Sequence, residues 1–225
     1  MPRECEEDAQ DPERILLLGR QGSGKGLVGR LVAKRRGAQF ISMGDVLRAE
    51  QRRDTDLGRR IGDRIDAGHG VPPDISYELL TAALPAARES VVVDGIPRRA
   101  DELGRVHKAL GGEPSKVVVL DVPTPMAVER LLSRRSCSDC GMPHGPGWPP
   151  LDDRCRSCGA RVLPRPDDGD LTRLHRRLDV WGFESRAIVG HYARKGLVSE
   201  VAADAPVLDV VDRVMRMLTP RWGQS

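Results

Sequence analysis

Aromatic residues are scarce in this chain of 225 residues, at 3% of the composition, so aliphatic side chains must form most of its core. No apolar run approaches the ~20 residues of a membrane-spanning helix, which gives no reason to expect a membrane protein. Lysine is also rare, with five among 36 basic residues, and the net charge of +3 includes no basic block. Composition therefore does not indicate a nucleic-acid partner, and the abundance of arginine is not by itself a functional signal.

The N-terminal segment lacks the apolar centre of a signal peptide, because Met1 to Pro12 is acidic and polar. We expect residues 1–12 to be a disordered leader and the protein to be cytoplasmic. In such a reducing compartment, paired cysteines bind metal more often than they form disulfides.

Short apolar runs rich in valine alternate with helical patterns along the chain. The runs are Ile15–Leu18, Val91–Val93, Val117–Leu120 and Leu197–Val201, and the helical patterns include Asp74–Ala87, Pro125–Arg135 and Pro206–Leu218. This alternation predicts an α/β fold with a parallel sheet and helices on both faces. Ligands of such sheets bind at the carboxyl ends of the strands.

The segment Gly19–Gly26 has the pattern of a phosphate-binding loop between a strand and a helix. Its glycines allow backbone N–H groups to surround an anion, and Lys25 can reach the outer phosphates. The general pattern places Ser or Thr after the lysine to hold Mg²⁺, whereas Gly26 and Leu27 follow here. An ordinary glycine-rich turn is the alternative, but strand, spacing, lysine and helix together favour phosphate binding.

Two copies of the sequence C-x-x-C-G lie between residues 136 and 164. They contribute four candidate zinc ligands: Cys137, Cys140, Cys155 and Cys158. Four thiolates suit a closed tetrahedral zinc site, so the predicted Zn²⁺ is structural and not catalytic. Unrelated cysteines or two disulfides are the less favoured alternatives.

Six further segments, taken together, resemble the adenylate kinases, specifically the long-lid form that binds zinc. They are Ile41–Arg48, Asp66–Pro72, Asp94–Arg98, the arginine pattern from Arg130 to Arg135, Arg165–Asp168 and Arg177–Trp181. The resemblance covers residues 13–218. It implies a P-loop core at 13–41, 72–135 and 165–225, a monophosphate-binding insertion at 42–71 and a zinc-bearing lid at 136–164.

The resemblance also implies roles for individual residues. It assigns ATP binding to Gly22, Ser23, Gly24, Lys25, Gly26, Leu27 and Arg130. It assigns monophosphate binding to Ser42, Met43, Arg48, Val71, Gly95, Arg98 and Glu102. It assigns catalysis to Lys25, Arg98, Arg134, Arg165 and Arg177, with Arg176 as a rival to Arg177, and places Asp94 beside water on Mg²⁺. Asp167 and Asp168 are expected to pair with arginines as the lid closes, and Asp45 is interpreted as a helix-capping or hinge residue.

Several positions depart from the family pattern, and most lie on the acceptor side. They are Leu27 and Met43 in place of threonine, Gly70 in place of leucine, Ile96 in place of phenylalanine and Glu102 in place of glutamine. The expected activity is transfer of a phosphoryl group from ATP to AMP by a monomer without nucleic-acid or membrane partners. The alternatives are another acceptor such as GMP, a weakly active nucleotide-binding regulatory protein, or, least favoured, a zinc-ribbon nucleic-acid binder.

Overall fold

A computed structural model describes residues 12–67, 69–84, 89–165 and 171–218, without the side chains at 66, 171–177 and 180. The predicted leader lies almost entirely outside these residues. A five-stranded sheet lies at the centre, and every neighbouring pair of its strands is parallel. In spatial order its strands are Gln39–Ser42 (β2), Val91–Asp94 (β3), Arg14–Leu18 (β1), Lys116–Asp121 (β4) and Val198–Ala202 (β8). The predicted parallel α/β sheet is confirmed.

The three inner strands are continuous apolar runs because helices cover both faces of the sheet. The helices with described bounds are Lys25–Arg36 (α1), Met43–Gln51 (α2), Asp56–Asp66 (α3), Pro73–Ala83 (α4), Leu103–Leu110 (α5), Thr124–Leu132 (α6), Leu171–Ala193 (α7) and Val207–Leu218 (α8). On one face, Val32 of α1 and Val211 of α8 pack against Leu17. On the other face of the sheet, Val106 of α5 and Tyr192 of α7 belong to a second cluster. Its strand side chains alternate along each strand with those that point to the first face.

Two predicted helices end earlier than the sequence pattern indicated. Helix α4 ends at Ala83, and its C-cap Leu84 is extended. Helix α6 ends at Leu132, so Arg134 lies after the helix instead of on it. The Ser133 hydroxyl bonds the carbonyl of Glu129 at 2.8 Å, and this local bond accompanies the end of the helix.

A small antiparallel sheet forms where the sequence is rich in Cys, Gly and Pro. Its strands are Arg135–Cys137 (β5), Pro143–His144 (β6) and Val162–Pro164 (β7), in the spatial order β6-β5-β7. Its buried cluster consists of Cys137, Cys155 and Val162. So small a core needs a further source of stability.

The parallel strands direct their carboxyl ends to one edge of the main sheet. There β1 leads into Gly19, β2 ends at Ser42 and β3 ends at Asp94. This edge therefore brings together three of the segments singled out from the sequence. Among the described helices, none is both long enough and apolar enough to cross a membrane.

Candidate functional site

The loop from Gly19 to Gly24 turns tightly between β1 and α1. Gly19 has φ +142°, and a Cβ placed there would lie 2.4 Å from the carbonyl oxygen of Leu120. Gly22 has φ +82°, and its Cβ would lie 2.4 Å from the carbonyl oxygen of Ala127. Only glycine fits both positions without displacing backbone. Gly24 caps α1 in the left-handed conformation, so the helix begins at Lys25.

The Lys25 ammonium lies inside this loop. Its Nζ donates to the carbonyl oxygens of Gly19 at 2.6 Å and Arg20 at 2.8 Å, and Ser23 Oγ lies 3.4 Å away. Burial lowers the pKa of Lys25, the Asp94 carboxylate opposes that shift, and Arg134 and Arg98 add to it. The ammonium is thus held by weak neutral acceptors that a phosphate could replace.

Asp94, at the end of β3, is the buried anion of the site, with 8% of its surface exposed. Burial raises its pKa, and Lys25 counteracts the shift most strongly, while Asp45 raises the pKa further. Its Oδ1 atom is buried without a hydrogen-bond partner among the described residues. A buried carboxylate oxygen of this kind requires a water or a hydrated ion.

Two arginines from different parts of the chain lie near Lys25 and Asp94. Arg98 and Arg134 both contribute to the electrostatic environment of Lys25 and Asp94. Arg98 is exposed, and its Nε donates to the carbonyl oxygen of Gly95 at 3.0 Å. Arg134 reaches the site from the short connection between α6 and β5. The structure therefore brings together four of the predicted site residues.

Asp45 joins three arginines from separate parts of the chain. Its carboxylate lies 2.6 Å from Arg30 of α1, 2.5 Å from Arg48 of α2 and 3.8 Å from Arg165. Ser42 is the N-cap of α2, so Asp45 is not the helix cap, and its interpretation as a hinge residue stays a prediction. Asp45 shares its charge among guanidinium groups of α1, of the 42–71 segment and of Arg165, which directly follows the cysteine-rich segment.

Two acceptor-side positions, Met43 and Glu102, are buried. Met43 is 1% exposed, and a Cβ built at Gly95 would lie 3.6 Å from Met43 Cβ. Glu102 is 8% exposed, and its Oε2 accepts the backbone N–H of Arg98 at 2.7 Å. Val71 lies apart from these contacts and lines a pocket with Ile61.

The structure describes only some of the remaining predicted arginines and aspartates. Arg130 donates through Nη1 to the carbonyl oxygen of Ala203 at 2.9 Å, beyond the end of β8. Burial lowers its pKa, and Asp204 opposes that shift. The side chains of Arg176 and Arg177 lie outside the described part of the structure, as do Asp167 and Asp168 entirely.

The four predicted metal-binding cysteines lie together in the lid segment. Their sulfur atoms all lie within 4.8 Å of one another. Cys137 Sγ is 3.4 Å from Cys158 Sγ, and Cys140 Sγ is 3.6 Å from Cys155 Sγ. A tetrahedral zinc with Zn–S bonds of ~2.3 Å needs sulfur atoms separated by about these distances. The cluster can therefore bind zinc.

The thiols of this cluster differ in acidity. Burial favours the protonated form of Cys137, but backbone N–H groups of Cys140 and Asp139 and the neighbouring thiols outweigh it and lower its pKa to about 7. Burial raises the pKa of Cys140 to about 12. Crowded thiols cannot all ionise together, and a divalent metal removes that conflict by replacing their protons.

Comparison with known proteins agrees with this geometry. The sequence matches the family model described as adenylate kinase over residues 17–197. The adenylate kinase of Moorella thermoacetica is 31% identical over 216 residues, which cover 93% of this chain and 99% of that protein. This chain belongs to the adenylate kinase family. It is an enzyme of the nucleoside monophosphate kinase class.

Other family members match over similar lengths. The adenylate kinase of Streptomyces avermitilis is 32% identical over 213 residues, covering 91% of this chain and 96% of that protein. The adenylate kinase of Caldicellulosiruptor bescii is 31% identical over 212 residues, covering 91% of this chain and 98% of that protein. The expected family is thus confirmed over nearly the whole chain.

One residue beside the adenylate kinase site was missed by sequence reasoning. Arg30 binds Asp45, and its guanidinium carbon also lies 5.3 Å from the centre of the Phe40 ring. A Cβ built at Gly141 of the lid segment would lie 3.6 Å from Arg30 Nη2. Helical spacing was the available signal, because Arg30 follows Gly26 by one turn on the same face of α1.

Proposed function

We propose that this protein transfers the terminal phosphoryl group of ATP to AMP and so forms two molecules of ADP. The convergence of Lys25, Arg98 and Arg134 on the buried Asp94, beside a glycine loop, is the observation that carries this proposal. Relatives named adenylate kinase, matched over more than nine tenths of the chain, support AMP as the acceptor. Phosphoryl transfer demands mainly alignment and neutralisation of negative charge, which such a cationic site supplies.

Each cationic residue has a separate task in this proposal. Lys25 exchanges its carbonyl partners for the outer phosphates of ATP in the glycine loop. Arg48 and Arg98 bind the acceptor phosphate, because planar guanidinium groups can bind two phosphate oxygens at once. Arg134, Arg165 and Arg177 neutralise the group in transfer.

The residues near Asp94 fit a magnesium ion bound with ATP. The buried Oδ1 atom of Asp94 lacks a partner among the described residues and can accept a hydrogen bond from water on such an ion. When bound, Mg²⁺ supplies charge neutralisation for the phosphates. The four cysteines hold a structural zinc in the lid, and the segments 42–71 and 136–164 close over the two nucleotides to exclude water.

Substitution of Lys25 tests the proposal directly. Diphosphate formation is measured with ATP, Mg²⁺ and each of AMP, GMP, CMP and UMP. Lys25→Ala should lower turnover by roughly three orders of magnitude, because charge stabilisation provides most of the catalysis. Lys34→Ala, an exposed lysine in the last turn of the same helix, is the matched control and should retain activity.

The acceptor panel separates the alternatives. Fastest turnover with AMP supports the proposed reaction, and fastest turnover with another monophosphate changes the acceptor only. If the unmodified protein turns over no faster than Lys25→Ala with any acceptor, the catalytic proposal fails and nucleotide binding without catalysis takes its place.

A further inference from the structure

A second group of metal-ligating side chains lies far from the nucleotide site. It consists of His107 on α5, Glu113 in the connection to β4 and His191 near the end of α7. These residues lie shortly before the amino ends of β4 and β8, whereas Lys25 and Asp94 lie at the carboxyl ends of β1 and β3. The phosphoryl-transfer chemistry proposed above does not use any of them.

The three side chains are arranged as ligands. Each offers one ligand atom, and the three atoms lie within 4.8 Å of one another. An ion bonded to nitrogen and oxygen at ~2.0–2.2 Å fits between them after small side-chain adjustments. Two imidazoles and a carboxylate form a donor set that suits zinc and similar divalent transition metals.

His191 provides an independent sign that a ligand is missing. Its Nε2 atom is buried, yet it has no hydrogen-bond partner among the described residues. Most buried polar nitrogens have a partner, and a bound water or ion is one explanation for an exception. The His107 and His191 rings lie with their centres 5.7 Å apart, so both imidazoles face the same small region.

The surroundings of His107 favour a neutral, oriented imidazole. The Tyr192 hydroxyl lies 3.0 Å from His107 Nε2 and fixes the orientation of that ring, as partners of metal-binding histidines commonly do. Burial lowers the pKa of His107; Glu113 opposes the shift, and His191 and Lys195 reinforce it. A neutral imidazole is the form that binds metal.

Lys195 is the competitor for this site. Its ammonium forms an ion pair with the Glu113 carboxylate, and both side chains are partly exposed. The exposed carboxylate gives an ion a path from solvent, but the ion must first displace the ammonium. The ion pair therefore limits the affinity for metal and keeps the carboxylate neutralised without it.

We propose that His107, Glu113 and His191 form a second, exchangeable binding site for a divalent transition metal, with Zn²⁺ as its probe. The ion links α5, the α5–β4 connection and α7 at the edge of the sheet opposite the nucleotide site. Three protein ligands leave a fourth coordination position for water, which distinguishes this site from the closed four-cysteine cluster.

Histidine side-chain NMR tests the site in the full-length protein. The chain is first given one equivalent of zinc for its cysteines, and more Zn²⁺ is then titrated in. The ring resonances of His107 and His191 should shift and saturate, while those of His69 and His144 should not. Glu113→Gln should weaken this binding by at least about tenfold, because it removes an exposed ligand without altering the core.

Two further variants make the result specific. Lys195→Met removes the competing ammonium and should tighten zinc binding several-fold. If the Lys195–Glu113 ion pair had only a structural role, its loss would not tighten zinc binding. Glu78→Gln, an exposed carboxylate on α4, is the matched control and should leave the affinity unchanged. The proposal is overturned if His107 and His191 do not respond to millimolar Zn²⁺, or if Glu113→Gln binds it as tightly as the unmodified chain.

Discussion

Glu102 shows how one substitution can affect two properties of a site. The carboxylate is buried and accepts the backbone N–H of Arg98, so it helps to fix the loop that carries this arginine. It therefore does not point to solvent. At the position where the family pattern has glutamine, a carboxylate accepts hydrogen bonds but cannot donate them. Adenine N1 requires a donor, whereas guanine offers N1–H and an amino group that a carboxylate can accept.

We predict that Glu102→Gln favours AMP over GMP. The glutamine carbonyl can still accept the Arg98 N–H, while its amide adds the donor that adenine N1 needs. The ratio of kcat/KM for AMP to that for GMP should rise about tenfold, equivalent to ~1.4 kcal/mol. Steady-state kinetics with both acceptors gives this ratio.

Glu102→Ala is the companion variant, since it removes both the bond to Arg98 and the proposed contact with the base. It should lower kcat/KM for every acceptor, because the Arg98 N–H loses its partner. An AMP-to-GMP ratio that stays the same in Glu102→Gln would show that another group reads the base.

The site residues that sequence reasoning could locate are those in motifs with a physical reason for their spacing. Lys25 follows from the strand, loop and helix around it, whereas Arg98 came from the resemblance of Asp94–Arg98 to the family pattern. Arg30 belongs to no such motif: its spacing from Gly26 was the one local signal, and its partner Asp45 comes from another helix. A pairing across the fold depends on tertiary packing, which a single sequence does not display.

At the scale of elements, the cysteine-rich segment is the part most dependent on a metal. The buried hydrophobic cluster of this segment consists of Cys137, Cys155 and Val162, and two of these are themselves predicted ligands. Such a core provides little hydrophobic stabilisation, so zinc binding would contribute directly to folding.

We predict one tightly bound zinc per chain that is lost in Cys158→Ser. Cys158 is exposed, so its replacement removes a ligand with little loss of packing. Elemental analysis should give one zinc for the unmodified protein and a much lower content for the variant. The melting temperature should fall, and it should fall similarly when the unmodified protein is treated with a strong chelator.

Cys5→Ser is the matched control, because Cys5 lies outside the cluster in the sequence. It should retain both zinc and melting temperature. If the unmodified protein is purified without chelator and contains no stoichiometric metal, the assignment of a structural zinc is contradicted.

The pattern of apolar residues in the sequence identified the strands and helices that are buried in a regular way. The apolar runs of β1, β3 and β4 predicted strands correctly, because buried parallel strands have few polar positions. The strand β8 was also predicted, although Val198–Ala202 contains two polar residues and buries only Val201. The edge strand β2 was not singled out, since Gln39–Ser42 contains only two apolar residues and is partly exposed. The overlong prediction for α6 arose because Arg134 and Arg135 continue a helical pattern, although β5 begins at Arg135.

At the scale of the whole molecule, the order of the strands determines where charge accumulates. The parallel sheet places Lys25, Asp94 and Arg98 at one edge, although they lie far apart in the sequence. The approach of the cysteine-rich segment to this edge is visible at Gly141, whose Cβ would lie 3.9 Å from Asp45 Cγ. Asp45 is therefore where the core, the 42–71 segment and the lid segment meet.

We predict that Asp45 couples closure of the two segments. A bisubstrate analogue, two adenosines joined by five phosphates, should slow amide hydrogen exchange in both 42–71 and 136–164 of the unmodified protein. Asp45→Asn keeps the size of the side chain but removes the charge shared by Arg30, Arg48 and Arg165. Exchange in the lid of the ligand-free variant should therefore be faster, and protection by the analogue should be smaller.

The matched control for this prediction is Asp56→Asn. Asp56 also lies in the first turn of a helix of the 42–71 segment and also pairs with an arginine, Arg59, but on the exposed surface. Surface pairs of this kind contribute little, so its exchange should resemble that of the unmodified protein. Equal lid exchange in Asp45→Asn and Asp56→Asn would refute the coupling. Unchanged exchange of both segments at saturating analogue would refute closure itself, because ligand binding must then occur without ordering either segment.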